Sequence, residues 1–157
     1  MDRLFLDANV LFSAAYRANA GLLQFWRLKN AVLCSSRYAL EEARINLVQI
    51  VQKRRLEKLA GAIEFFDPIP RLLPREVTLP GKDLPIFLAA MAARATHLIT
   101  GDVHHFGRYF GKTIEGVLVS SPADYLKKTG KTGEYLFTGR RGSNSRPDHL
   151  AIRATAL

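Results

Sequence analysis

One cysteine, Cys34, is the only thiol in this 157-residue chain, so no disulfide can form within it. That suits a reducing compartment, and within the apolar run AVLCSS the thiol reads as a buried structural group rather than a nucleophile. Long apolar runs are missing as well. None reaches the roughly 18 residues that span a bilayer. The opening MDRLFLDANVLF carries acids where a signal peptide carries a basic segment. The expectation is a soluble cytoplasmic protein with no membrane partner. Also absent are a glycine-rich phosphate loop followed by lysine, a cysteine–histidine zinc spacing and a Gly-x-Ser-x-Gly elbow. These absences exclude the motif-bearing nucleotide hydrolases, zinc modules and serine hydrolases of the α/β type. Acid is scarce relative to base: 14 Asp and Glu face 23 Lys and Arg, a formal charge of +9. The excess is uneven, with residues 127–157 holding seven basic and two acidic side chains. Such a balance fits either a solvated basic surface or attraction to a polyanion or an acidic partner segment.

What is present is a core and a rhythm. The hydrophobic fraction of 48% suits one ordinary globular domain. Residues 3–6 read as a buried strand ending at Asp7, and SAAYRANAGLLQFWRLK as a helix broken near Gly21. AVLCS reads as a second strand. Ser36 is placed to cap a helix through RYALEEARINLVQI, and a further helix runs through VQKRRLEKLAGAIEFF. DPIPRLLPREVTLPG, with four prolines, is an extended connection. KDLPIFLAAMAARAT is a helix with Asp83 at its start, HLIT a strand, IEGVLVSS another and PADYLKKT a last helix. Strands alternating with helices predict a single α/β domain: a central parallel sheet flanked by helices on both faces.

In a parallel sheet all strand C-termini share one edge. Asp7 and Asp102 each follow a strand, Asp83 starts a helix on the same edge, and Glu42 lies near the start of the helix after AVLCS. The four acids are candidates for one pocket. Each also has an ordinary alternative: a turn or N-cap for Asp7, a helix cap for Asp83, a turn for Asp102, and a solvated face shared with Glu41 for Glu42. Four carboxylates in one pocket repel unless a cation neutralises them. Hard ions such as Mg²⁺ and Mn²⁺ take oxygen ligands and activate water toward phosphodiesters. A basic surface around such a pocket is what a nuclease needs.

The segments FLDANVLFSA, SSRYALEEARINL, KDLPIFLAAMAARATHLITGDVHHF and VSSPADYL together resemble a PIN domain, most closely the VapC-like toxins of bacterial and archaeal toxin–antitoxin pairs. The resemblance runs over roughly residues 2–127 in order. It implies that Asp7, Glu42, Asp83 and Asp102 form the catalytic quartet, with Asp7, Asp83 and Asp102 as metal ligands and Asn9 and Thr100 supporting them. It implies a Mg²⁺- or Mn²⁺-dependent endoribonuclease, attack by a metal-activated water, a homodimer, and a small antitoxin that inserts a segment over the acids. Many relatives carry a further acid after the Thr-Gly-Asp; here the loop holds His104 and His105, read as surface or loop-packing residues.

The expected organisation is a PIN-like nuclease domain over residues 1–128 and a flexible basic extension over 129–157. The basic cluster QKRRLEK reads first as a solvated helix face and second as an RNA contact. Two other functions compete. A haloacid-dehalogenase-like phosphohydrolase needs a second acid two residues after the first, where this chain has Asn9. A binding module whose acids hold no metal would take nucleic acid or a partner without cutting.

Overall fold

The computed structural model describes residues 1–133. Its chain begins with β1 (Asp2–Leu6), whose Leu4, Phe5 and Leu6 are wholly buried. Burying a large apolar side chain is worth about 1.5–3 kcal/mol, so this short strand anchors the sheet despite its length. Helix α1 (Ala8–Tyr16) starts immediately after Asp7. The sequence placed this helix later and ran it through Trp26. Instead the chain turns after Tyr16 and makes a 3-10 segment, Gly21–Arg27. Asp7 explains the early start: its carboxylate accepts from the Ala8 amide at 2.7 Å and takes the N-cap position.

Strand β2 (Ala31–Ser35) leads to α2 (Arg37–Asn46). Ser36 caps α2 as expected, its Oγ accepting from the Ala39 amide at 3.1 Å. Helix α3 (Ile50–Ala60) follows and ends earlier than the apolar pattern suggested, because Glu64–Phe65 leave it to form the edge strand β3. Helix α4 (Leu84–Ala92) carries no charged side chain and buries Ile86, Phe87, Leu88, Ala89 and Ala90, as an apolar helix must. Then come β4 (His97–Ile99), the short α5 (Val103–Phe106), β5 (Thr113–Ile114), β6 (Val117–Ser120) and α6 (Pro122–Gly133). Helix α6 docks on the sheet through Tyr125, whose hydroxyl donates to Asp2 Oδ2 at 2.6 Å. Beyond Gly133, the expected C-terminal extension lies outside the described residues.

The six strands form one sheet in the order β3-β2-β1-β4-β6-β5. All pairings are parallel except β5 with β6. The sequence took residues 114–121 as one strand of a fully parallel sheet. A tight hairpin splits it, because Glu115 (φ 51°) and Gly116 (φ 85°) both adopt left-handed backbone, as two-residue turns of this kind require. Strand order reverses at β1, which pairs with β2 on one side and β4 on the other. Ligand crevices in open α/β sheets form at the strand C-termini of such a switch point.

Candidate active site at the carboxyl edge of the sheet

Leu6 and Ile99 are partners in the β1–β4 register, so Asp7 and Thr100 leave the sheet side by side. The Asp7 amide donates to the Ile99 carbonyl at 3.0 Å, and the Thr100 hydroxyl donates to Asp7 Oδ2 at 2.8 Å. Asn9, on the first turn of α1, accepts from the Gly101 amide at 2.9 Å and turns its NH₂ toward Asp7 and Thr100, 3.4 Å from each. The Asp102 amide donates back to Thr100 Oγ1 at 3.1 Å. One hydroxyl thus ties two acids together, although they stand 95 positions apart in the chain.

Asp83 arrives from another direction. It holds the N-cap position of α4, yet its side chain makes no capping hydrogen bond. Its residue is 5% exposed, and Oδ2 is buried without a hydrogen-bond partner among the described residues. Burial foremost, then the neighbouring Asp102 and Glu42, push its pKa up against the opposing pull of His105 and Lys82. Asp7, also 5% exposed, is pushed up to about 6, chiefly by burial, although hydrogen bonds from Thr100 and Ala8 pull it down.

Asp7, Glu42, Asp83 and Asp102 line a single open cleft of about 860 Å³. Glu42 lies on its wall with Lys82 Nζ 3.4 Å from Oε2, whereas Glu41 pairs with Arg44 on the exposed face of α2. The two glutamates, indistinguishable by periodicity, therefore separate in space. Asn9 lines the same cleft, and Thr100 sits fully buried behind it.

Two readings are refined. Of the surface and loop-packing alternatives His105 takes the second: Nδ1 shares a hydrogen bond of 3.0 Å with Asp102 Oδ2 and stands 2.9 Å from Asp83 Oδ2, and its amide donates to Asp102 Oδ1. No spacing signal separated it from His104, which lines the cleft beside it. The basic cluster on α3 is partly structural. Arg55 donates to the carbonyls of Ala15 and Tyr16 in the last turn of α1, and Lys53 Nζ donates to the Arg44 carbonyl of α2. These cations satisfy carbonyls that a helix end leaves unpaired.

No family model and no curated protein sequence matches the chain. Among solved structures, a chain of VapBC2 from Rickettsia felis, determined bound to a DNA fragment from their promoter, superposes with a TM-score of 0.54. The two are 17% identical, and the match covers 76% of this chain and 98% of that one. The fold is PIN-like. The acids of this PIN-like domain sit at the switch point between β1 and β4. Asp83, Asp102 and His105 offer ligand atoms that all lie within 4.8 Å of one another, a grouping able to hold a metal ion.

Proposed function

We propose that this chain is a Mg²⁺- or Mn²⁺-dependent endoribonuclease and the toxin of a toxin–antitoxin pair. One observation carries the reading: four carboxylates from four separate segments line one cleft, and two of them, Asp7 and Asp83, are buried there. Buried acids held above their ordinary pKa cost stability, and a divalent ion offsets that cost. A bound ion would lend Lewis acidity to a phosphodiester and its attacking water. Asp7, Asp83 and Asp102 would hold the ion, and Glu42, which lines the same cleft, would help orient the water. Thr100 and Asn9 hold the Asp7 carboxylate in place at the cleft. Lys82, 60% exposed at the mouth, supplies a cation for a phosphate of the incoming strand.

The fold likeness to VapBC2 supports an antitoxin partner. So does the exposed apolar group Ile45, Val48, Ile50 and Val51 at the junction of α2 and α3, which suits a protein contact. A homodimer is part of the same proposal. The test is cleavage of a mixed-sequence RNA by the purified chain with Mn²⁺, Mg²⁺ or chelator. Cleavage requiring either ion and lost in Asp7→Asn supports the reading. Ion-independent cleavage, or none with either ion, counts against it. The reading frames that adjoin the gene test the toxin assignment: a short one whose co-expressed product suppresses cleavage in a tight complex supports it, and none that does so opposes it.

A further inference from the structure

We infer that His105 is a nitrogen ligand to the divalent ion, so that the site takes Mn²⁺ in preference to Mg²⁺. The inference rests on the metal-dependent reading of the cleft and adds to it a ligand of a different kind. His105 Nδ1 is 2.9 Å from Asp83 Oδ2 and 3.0 Å from Asp102 Oδ2. Two ligands at right angles around an ion, each about 2.1 Å from it, stand about 3.0 Å apart. Both edges of the Asp83–His105–Asp102 triangle at the imidazole match that spacing; the Nδ1–Asp102 Oδ2 edge is a hydrogen bond, which the ion would replace as Nδ1 gives up its proton.

Asp83 Oδ2 gives the triangle a second, independent sign of a cation site. The oxygen is buried, and although the imidazole approaches it at ion-pair distance, 2.9 Å, no donor among the described residues hydrogen-bonds it. His105 is held in place from behind. Its amide donates to Asp102 Oδ1 at 3.0 Å, and the Asp102 amide is fixed in turn by Thr100. Thr100, outside the coordination, thus orients the Asp102–His105 pair.

Imidazole is a borderline donor that suits transition ions, whereas Mg²⁺ prefers oxygen and gives up its water reluctantly. An imidazole added to the carboxylate ligands therefore shifts preference toward Mn²⁺ relative to a site built only from acids. Each named atom is already within reach of a common ion, so ion binding needs side-chain adjustment only.

Pulsed electron paramagnetic resonance on the full chain loaded with one equivalent of Mn²⁺ reads the ligand directly. A directly bound imidazole gives a ¹⁴N coupling, and labelling histidine with ¹⁵N converts it without any substitution. His104→Ala is expected to retain the coupling. His105→Ala is expected to abolish it and to lower the Mn²⁺-over-Mg²⁺ affinity ratio about tenfold or more. Bound Mn²⁺ with no nitrogen coupling, or a coupling that survives His105→Ala, overturns the inference. An oxygen-only Mn²⁺ site that still supports RNA cleavage overturns the nitrogen ligand alone and leaves the nuclease reading standing. Failure of Mn²⁺ to bind, with no cleavage, removes both.

Discussion

Asp7 is the residue where folding and function pull in opposite directions. Its carboxyl is nearly inaccessible and is pushed up to about 6 by burial. Below its ordinary value of 3.8 it is protonated in both the folded and unfolded chain, and its stabilising contribution is then fully present. That contribution is lost as pH rises through about 6, where the buried group must ionise. The shift sets an upper limit of about 3 kcal/mol on the loss. In chelator, Asp7→Asn should therefore gain on the native protein between pH 4 and pH 7. Urea unfolding of both proteins across that range measures the difference, and a gap independent of pH would refute this account of Asp7. Thr100 makes a second case. Its hydroxyl donates to Asp7 and accepts from the Asp102 amide, and it is fully buried. Thr100→Val keeps the shape and strands both partners, at a cost of about 1–3 kcal/mol. Thr100→Ser should restore most of that stability in the same unfolding measurement.

At the scale of elements, much of the site could be read because strand ends announce themselves. Asp7 and Asp102 each follow a short run of buried aliphatics, and a parallel sheet leaves them no choice of edge. Ser36 was equally plain, and its capping bond predicts that Ser36→Ala costs about 1 kcal/mol in thermal or urea unfolding. What stayed hidden depended on backbone geometry or on contacts between distant segments. Helix α1 begins at Ala8 because the Asp7 carboxylate caps it, an effect no hydrophobic period reports. The break at Glu115–Gly116 was lost inside an apolar run, since two residues suffice for the hairpin. Gly116 has open space around a would-be Cβ, so only its left-handed backbone resists substitution. Gly116→Val should cost about 1–2 kcal/mol from that strain alone, whereas Gly81→Ala should be nearly silent in the same assay. The role of His105 was hidden for a different reason: two adjacent histidines on a four-residue helix cannot be told apart without knowing where Asp83 comes to rest.

Across the whole molecule, the reversal of strand order at β1 does the decisive positioning. It brings the ends of β1 and β4 together and leaves α2 and the start of α4 to complete the walls of the cleft. The folded chain collects this charge and the unfolded chain does not, so on the proposed reading a divalent ion would bind only the former. At 100 times its dissociation constant, Mn²⁺ should stabilise the fold by about 2.7 kcal/mol. Thermal unfolding should show that gain for the native chain and its loss in Asp83→Asn. The most direct test is the cut itself. Purified native protein, Asp7→Asn and Asp83→Asn are incubated with one RNA in Mn²⁺ and in chelator, after circular dichroism shows all three folded. The account predicts Mn²⁺-dependent cleavage by the native chain alone, reduced at least about 100-fold in each variant, equivalent to roughly 2.7 kcal/mol of transition-state stabilisation. Equal cleavage by the native chain and both variants would contradict it.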